Sequence, residues 1–172
     1  MFEFVLGGAR SGKSHYAQQQ ALASGLPVIY IATATAGDDE MRARIRIHQQ
    51  SRPAHWTLCE EPLELAAMLR RHQHAGHYII VDCLTLWLSN LLAQTPAFYQ
   101  QQLQEFFDCL PDVEASVIFV SNEVGMGVVP MGELSRRFVD ESGRLHQRLA
   151  QQCQRVTQMI VGIPHVIKNE YQ

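Results

Sequence analysis

The stretch LGGARSGKSHYA, residues 6–17, holds G-x-x-x-x-G-K-S at positions 7–14, directly after the apolar run Phe2 to Leu6. Few short patterns constrain a fold so tightly. Backbone N–H groups turned inward by glycine cradle phosphate oxygens when a strand delivers the loop and a helix receives it. Both are legible: Phe2 to Leu6 reads as a short buried strand, and the Ala- and Gln-rich segment after the loop reads as a helix stopped near Gly25.

The rest of the chain supplies a sheet to carry that loop. PVIYIAT, Pro27 to Thr33, is continuous in apolar and β-branched residues rather than alternating, as expected of a parallel strand covered on both faces. HYIIVD (His77 to Asp82) and SVIFVS (Ser116 to Ser121) repeat the pattern, and Val156 to Gly162 is expected to be the last strand. Helical rhythm occupies Pro62 to His74, residues 84–94 and 97–109 with a break near Pro96, and Gly132 to Cys153. Asp38, Asp39 and Glu40 precede MRARIRIHQQSR, so acids stand at a helix start and arginines follow. Strands alternating with helices predict an α/β class: a P-loop NTPase-type domain whose mostly parallel sheet is flanked by helices. The 172 residues, 47% hydrophobic and without repeat or linker, are expected to form one domain.

Charge and cysteines exclude several classes. A net charge of -3 argues against nonspecific nucleic-acid binding, so an anion site must be local. Arg42, Arg44, Arg46 and Arg52 crowd one short segment. The four cysteines (Cys59, Cys83, Cys109 and Cys153) form no C-x-x-C and fit reduced thiols in a cytoplasm. No apolar run approaches the roughly 20 residues of a membrane span, and the start lacks a signal peptide's pattern. A soluble, unexported protein is expected.

Within the cradle formed by Gly7, Gly8, Ala9, Arg10, Ser11, Gly12, Lys13 and Ser14, Lys13 would reach the β- and γ-phosphates and the Ser14 hydroxyl would help hold Mg²⁺. Asp82 closes HYIIVD where a P-loop enzyme needs an acid for its metal or substrate. It can also cap the helix starting near Leu84. At helical spacing Met41, Ile45, His48 and Arg52 share a stripe, with Arg44 one turn before His48. Guanidinium neighbours favour a neutral imidazole and welcome a triphosphate, yet on these residues alone an ordinary surface histidine on a solvated helix face is the plainer reading. His72, His74 and His77 straddle a helix end and a strand start, and read as an exposed turn rather than a metal site.

GGARSGKS, RIRIHQQSRP with Trp56 just after, VDCLTLWLSN and VSNEVGMGVVP, in this order, resemble the bifunctional adenosylcobinamide kinase / adenosylcobinamide-phosphate guanylyltransferase family, from Phe4 to about Gly162. The resemblance implies two reactions: phosphorylation of adenosylcobinamide from ATP or GTP, and transfer of GMP from GTP to adenosylcobinamide phosphate, releasing pyrophosphate. It implies a guanylyl-histidine intermediate on His48. It also implies nucleotide contacts at Gly7 through Ser14, at Thr33, Ala34 and Thr35, at Gln49, Gln50, Ser51 and Arg52, and at Glu60 and Asp82. Mg²⁺ on Ser14 and Asp82 and a homotrimer belong to the same expectation. Some family members carry Glu at the position of Asp82, which leaves its role between metal and guanosine. The loop Asn122 to Gly127 is a candidate wall for the corrinoid or a structural turn demanded by its glycines. A plain kinase would need no His48. A GTP-controlled switch would usually carry N-K-x-D, a tetrapeptide this chain lacks.

Overall fold

The computed structural model describes residues 1–35 and 53–170. Seven strands form one sheet: β1 (Phe2–Gly7), β2 (Val28–Ala32), β3 (Thr57–Glu60), β4 (Tyr78–Asp82), β5 (Ser116–Asn122), β6 (Arg155–Ile160) and β7 (Ile163–Asn169). Their spatial order is β3-β2-β4-β5-β1-β6-β7. All neighbours pair in parallel except β6 and β7, which are antiparallel. The helices are α1 (Lys13–Ser24), α2 (Leu65–Arg71), α3 (Leu84–Leu92), α4 (Pro96–Cys109) and α5 (Glu133–Gln152), with a 3₁₀ turn at Leu110–Asp112. The α/β class and the mostly parallel sheet are as expected.

The continuous apolar strands are buried on both faces, and each face builds its own core. One contains Phe4, Ile31, Val81 and Phe119 beneath Leu65, Trp87, Phe106 and Leu145, so α2 to α5 cover it. The other contains Val5, Tyr30, Ile80 and Val120 beneath Ala17 and Ala21 of α1. Period-two alternation assigns the sides: Val117 and Phe119 point to the first core, Ile118 and Val120 to the second. Trp87 is fully buried in the first core, and its indole Nε1 donates to the Leu63 carbonyl at 2.8 Å. That bond satisfies a donor that burial would otherwise strand. The expected break near Pro96 is a helix start: Pro96 opens α4, and the Thr95 hydroxyl accepts from Phe98 N at 3.3 Å.

Three expectations need correction. Val156 to Gly162 is not the last strand: β6 ends at Ile160 and β7 returns antiparallel beside it. Val161 and Gly162 form the two-residue turn between them, with φ of 47° and 84°, the positive pair that a tight hairpin requires. The short edge strand β3 lies within a stretch where sequence showed none. The helix expected over Pro62 to His74 contracts to Leu65–Arg71, because Leu63 and Glu64 N–H groups bond instead to the Glu61 carboxylate. The arginine-rich helix expected around His48 lies outside the described residues.

Candidate nucleotide site

Because strands β1 to β6 run parallel, their carboxyl ends share one edge of the sheet, and the sequence-predicted residues gather there. Gly7 ends β1, Glu60 ends β3 and Asp82 ends β4, while Thr33, Ala34 and Thr35 follow β2.

The loop from Gly7 to Ser14 is built around close approaches. A Cβ on Gly7 would lie 2.6 Å from both the Met159 carbonyl oxygen and Ser11 Oγ, so no side chain fits there. Gly12, with φ of 94°, is the N-cap of α1, and no side chain among the described residues caps that helix. Its first N–H groups therefore face the loop together with the positive end of the helix dipole. Lys13 is buried, with Nζ donating to the Gly8 carbonyl at 2.6 Å and to Ser11 Oγ at 3.3 Å. Burial pulls its pKa below the ordinary lysine value, and the charge of Asp82 partly restores it. The lysine and the aspartate are thus electrostatically coupled across the crevice. Gly8, Ala9 and Arg10 are exposed and Ser14 is half-buried.

Asp82 is held rather than loose. Tyr30, one strand over, donates its hydroxyl to Asp82 Oδ2 at 2.6 Å, and its ring stacks on Trp56 at 6.4 Å between centroids. The arrangement leaves Oδ1 to face a cation or a ligand donor. Asp82 does not cap α3, whose N-cap is Cys83. Thr33 is fully buried, its hydroxyl donating to the Cys83 carbonyl at 2.7 Å and accepting from Cys83 N at 2.9 Å. Its own N–H donates to the Asp82 carbonyl at 3.2 Å, and its carbonyl accepts from Asn90 Nδ2 at 2.9 Å. Thr33 therefore clasps β2 to the end of β4, and the exposed Thr35 with Ala34 faces outward from it. Glu60 is exposed at its strand end.

His48, Gln49, Gln50, Ser51 and Arg52 lie outside the described residues, between Thr35 and Pro53 in the sequence. Sequence reasoning missed Tyr30, Asn90 and Thr85. Thr85 is buried, and its hydroxyl accepts from Asn122 N at 3.4 Å and from Asn122 Nδ2 at 3.2 Å, linking α3 to the end of β5. No local spacing signals these groups, because each acts on a residue from another strand.

The arrangement suits a nucleotide whose phosphates lie on the α1 N-terminus and Lys13, with Asp82 opposite. Comparison with known proteins gives the family. The family model described as cobinamide kinase / cobinamide phosphate guanyltransferase matches residues 3–167. The bifunctional adenosylcobalamin biosynthesis protein CobP of Pseudomonas aeruginosa is 53% identical over 171 residues, covering 99% of each chain. The CobU protein of Salmonella typhimurium, which carries the same bifunctional description, is 37% identical over 183 residues, covering 98% of this chain and 100% of its own. Among solved structures, a Pyrococcus horikoshii protein, PH0250, aligns with a TM-score of 0.60 at 9% identity over 99% of this chain and 87% of its own, a likeness of fold. With the P-loop, the acid opposite it and the matched residues in agreement, the chain belongs to the cobinamide kinase / cobinamide phosphate guanyltransferase family and is an enzyme of that kind.

Proposed function

We propose that the two transfers share the crevice above Gly7 to Ser14, with His48 carrying the guanylyl group between GTP and adenosylcobinamide phosphate. The carrying observation is the convergence of Lys13, Asp82 and Glu60 on one sheet edge, where Thr35, the last described residue before His48 in the sequence, follows β2. In the kinase step, the terminal hydroxyl oxygen of adenosylcobinamide attacks the γ-phosphorus of ATP or GTP. The bond to the β-phosphate oxygen breaks and the hydroxyl proton is released. In the second step a neutral His48 ring nitrogen attacks the α-phosphorus of GTP, and pyrophosphate leaves into the charge of Lys13 and the α1 N-terminus. A phosphate oxygen of adenosylcobinamide phosphate then attacks the same phosphorus, freeing His48 and giving adenosylcobinamide-GDP. A covalent step divides one hard transfer into two easier ones.

Gln49, Gln50, Ser51 and Arg52 are proposed to contact the nucleotide beside His48, and Ala34, Thr35 and Glu60 from the β2–β3 side, with Thr33 acting through the wall it holds. The hydroxyl of Ser14 and the carboxylate of Asp82 are the hard oxygen donors Mg²⁺ takes, one or two from protein and the rest from phosphates and water. When bound, Mg²⁺ neutralises phosphate charge.

A homotrimer is proposed on the family pattern, supported by the exposed apolar residues Ile160, Val161, Ile163 and Ile167 of the β6–β7 hairpin; sedimentation tests it. A cytoplasmic location is proposed from the four free thiols, and no helix among the described residues is long and apolar enough to cross a membrane.

Incubation with α-labelled GTP tests the central reading. The protein is expected to retain one GMP, alkali-stable and acid-labile, on the peptide containing His48, and His48→Ala to abolish it while phosphorylation of adenosylcobinamide continues. Wild-type protein that never takes up label would leave a kinase without the second transfer.

A further inference from the structure

A cavity of about 190 Å³ lies at the end of β5 on the α5 face of the sheet, lined by Glu123, Gly125, Ser142, Gly143, His146 and Gln147 among others. It adjoins the P-loop strand, because Glu123 N donates to the Gly7 carbonyl at 2.9 Å and the His146 ring packs 5.4 Å from Phe4. The nucleotide groups lie on the other face: α1 follows Gly12 there, and Tyr30, the partner of Asp82, belongs to the core under α1.

Three observations define what the cavity takes. Its volume falls short of the roughly 300 Å³ at which pockets begin to bury whole small ligands, so neither a nucleoside triphosphate nor a corrin ring enters, whereas a side arm does. Among the described residues no lysine or arginine lines it and one carboxylate does, which disfavours phosphate. Ser142, 1% exposed on α5, has a hydroxyl with no partner among the described residues, a group that burial penalises until something bonds to it. Glu123 Oε1 accepts from Gly125 N at 2.6 Å, which leaves its second oxygen to receive another donor. His146 is buried, bonded to Ser121 Oγ at 2.8 Å, and kept uncharged by that burial.

A neutral group that donates and accepts at once matches this lining, and a primary carboxamide is such a group. Cobinamide carries carboxamide arms around its corrin rim. We infer that the cavity receives one of these arms, its NH₂ on the Glu123 carboxylate and its carbonyl on the Ser142 hydroxyl. The inference rests on the phosphorylation of adenosylcobinamide proposed above. The loop beyond Glu123 continues through exposed Met126, Val128 and Val129, an adaptable apolar shelf on which the ring can lie.

Steady-state kinetics of the whole enzyme test this with two variants. Ser142→Ala removes only the unpaired hydroxyl. Gly143→Leu fills the space, since a Cβ at Gly143 meets nothing within 4 Å. The KM for adenosylcobinamide is expected to rise about three- to tenfold in the first, the worth of one hydrogen bond, and further in the second, while the nucleotide KM stays within about twofold. A corrinoid with its arms hydrolysed to carboxylates should be rejected by wild type and partly regained by Glu123→Gln. Unchanged corrinoid KM in both variants overturns the inference, as does a parallel rise in nucleotide KM. Wild type that never phosphorylates adenosylcobinamide fails earlier, before any variant is compared, and overturns the activity itself.

Discussion

The N–H of Gly162, in the turn between β6 and β7, donates to the Ser11 carbonyl at 3.1 Å, so the sheet's outer hairpin holds the phosphate loop from the side. The two glycines are in contact distance: a Cβ on Gly12 would stand 3.5 Å from Gly162 Cα, an ordinary van der Waals separation. Gly162 has φ of 84°, a conformation in which a side chain costs about 1–2 kcal/mol. Gly162→Ala is therefore expected to lower the melting temperature by a few degrees and to weaken GTP binding severalfold by loosening Ser11. Titration calorimetry beside a thermal melt checks it. GTP affinity equal to wild type would show that the loop holds its shape without the hairpin.

Tyr30→Phe should separate the orientation of Asp82 from its presence. Phe keeps the stacking on Trp56 and the core volume, and removes the hydroxyl that donates to Asp82 Oδ2 at 2.6 Å. A hydrogen bond to a charged group contributes about 1.5–3 kcal/mol, so the variant is expected to lose up to that much stability. On the role proposed for Asp82, phosphorylation should slow about tenfold as the carboxylate loses its fixed orientation. Denaturant unfolding and the kinase rate read the two effects. An unchanged rate with lowered stability would confine Tyr30 to a structural part.

What could be read beforehand follows from where each signal lives along the chain. The β1–loop–α1 unit was legible because strand, glycines and helix are contiguous, and the central strands because burial on both faces demands unbroken apolar runs. The hairpin turn escaped because Val161, a β-branched residue, occupies a positive-φ position that Asn or Gly usually fills. β3 escaped because Thr57, Leu58 and Glu60 are exposed and carry no burial pattern. Asp82 was visible as an acid ending a strand, but Tyr30 stands 52 residues away, and only the β2–β4 register, with Ala32 beside Asp82, makes them partners. The polar groups of α5 that line the cavity looked like ordinary members of an amphipathic helix.

Burial of His146 gives stability a pH dependence of definite sign. Desolvation lowers its folded pKa below the ordinary histidine value of 6.5, with the charge of Glu123 opposing weakly. Between the folded and unfolded values the unfolded chain binds more protons, so stability rises with pH there and falls as pH drops from about 6.5. The loss levels off below the folded pKa. Melts from pH 7.5 to 5 should show this decline in wild type and a flatter profile in His146→Asn. Equal slopes in the two proteins would show that other groups set the dependence.

Thr33 offers the sharpest division between holding the site and touching the ligand. Its hydroxyl bonds Cys83 twice, at 2.7 Å through the carbonyl and at 2.9 Å through the N–H, inside a fully buried clasp. Thr33→Val preserves shape and strands the Cys83 N–H, while the Cys83 carbonyl keeps its bond from Trp87 N at 3.1 Å; a buried polar group left unpaired costs about 1–3 kcal/mol. Thr33→Ser keeps the hydroxyl and sacrifices one methyl, about 1 kcal/mol. The valine variant is expected to unfold at clearly lower denaturant than the serine variant. Both should retain a GTP KM within about threefold of wild type, since the clasp is buried and the nucleotide contacts proposed beside it fall to Ala34 and Thr35. If instead Thr33→Val leaves stability intact and raises the GTP KM by an order of magnitude or more, the hydroxyl serves the nucleotide directly, and the edge of β2 must open toward the phosphate loop when GTP binds.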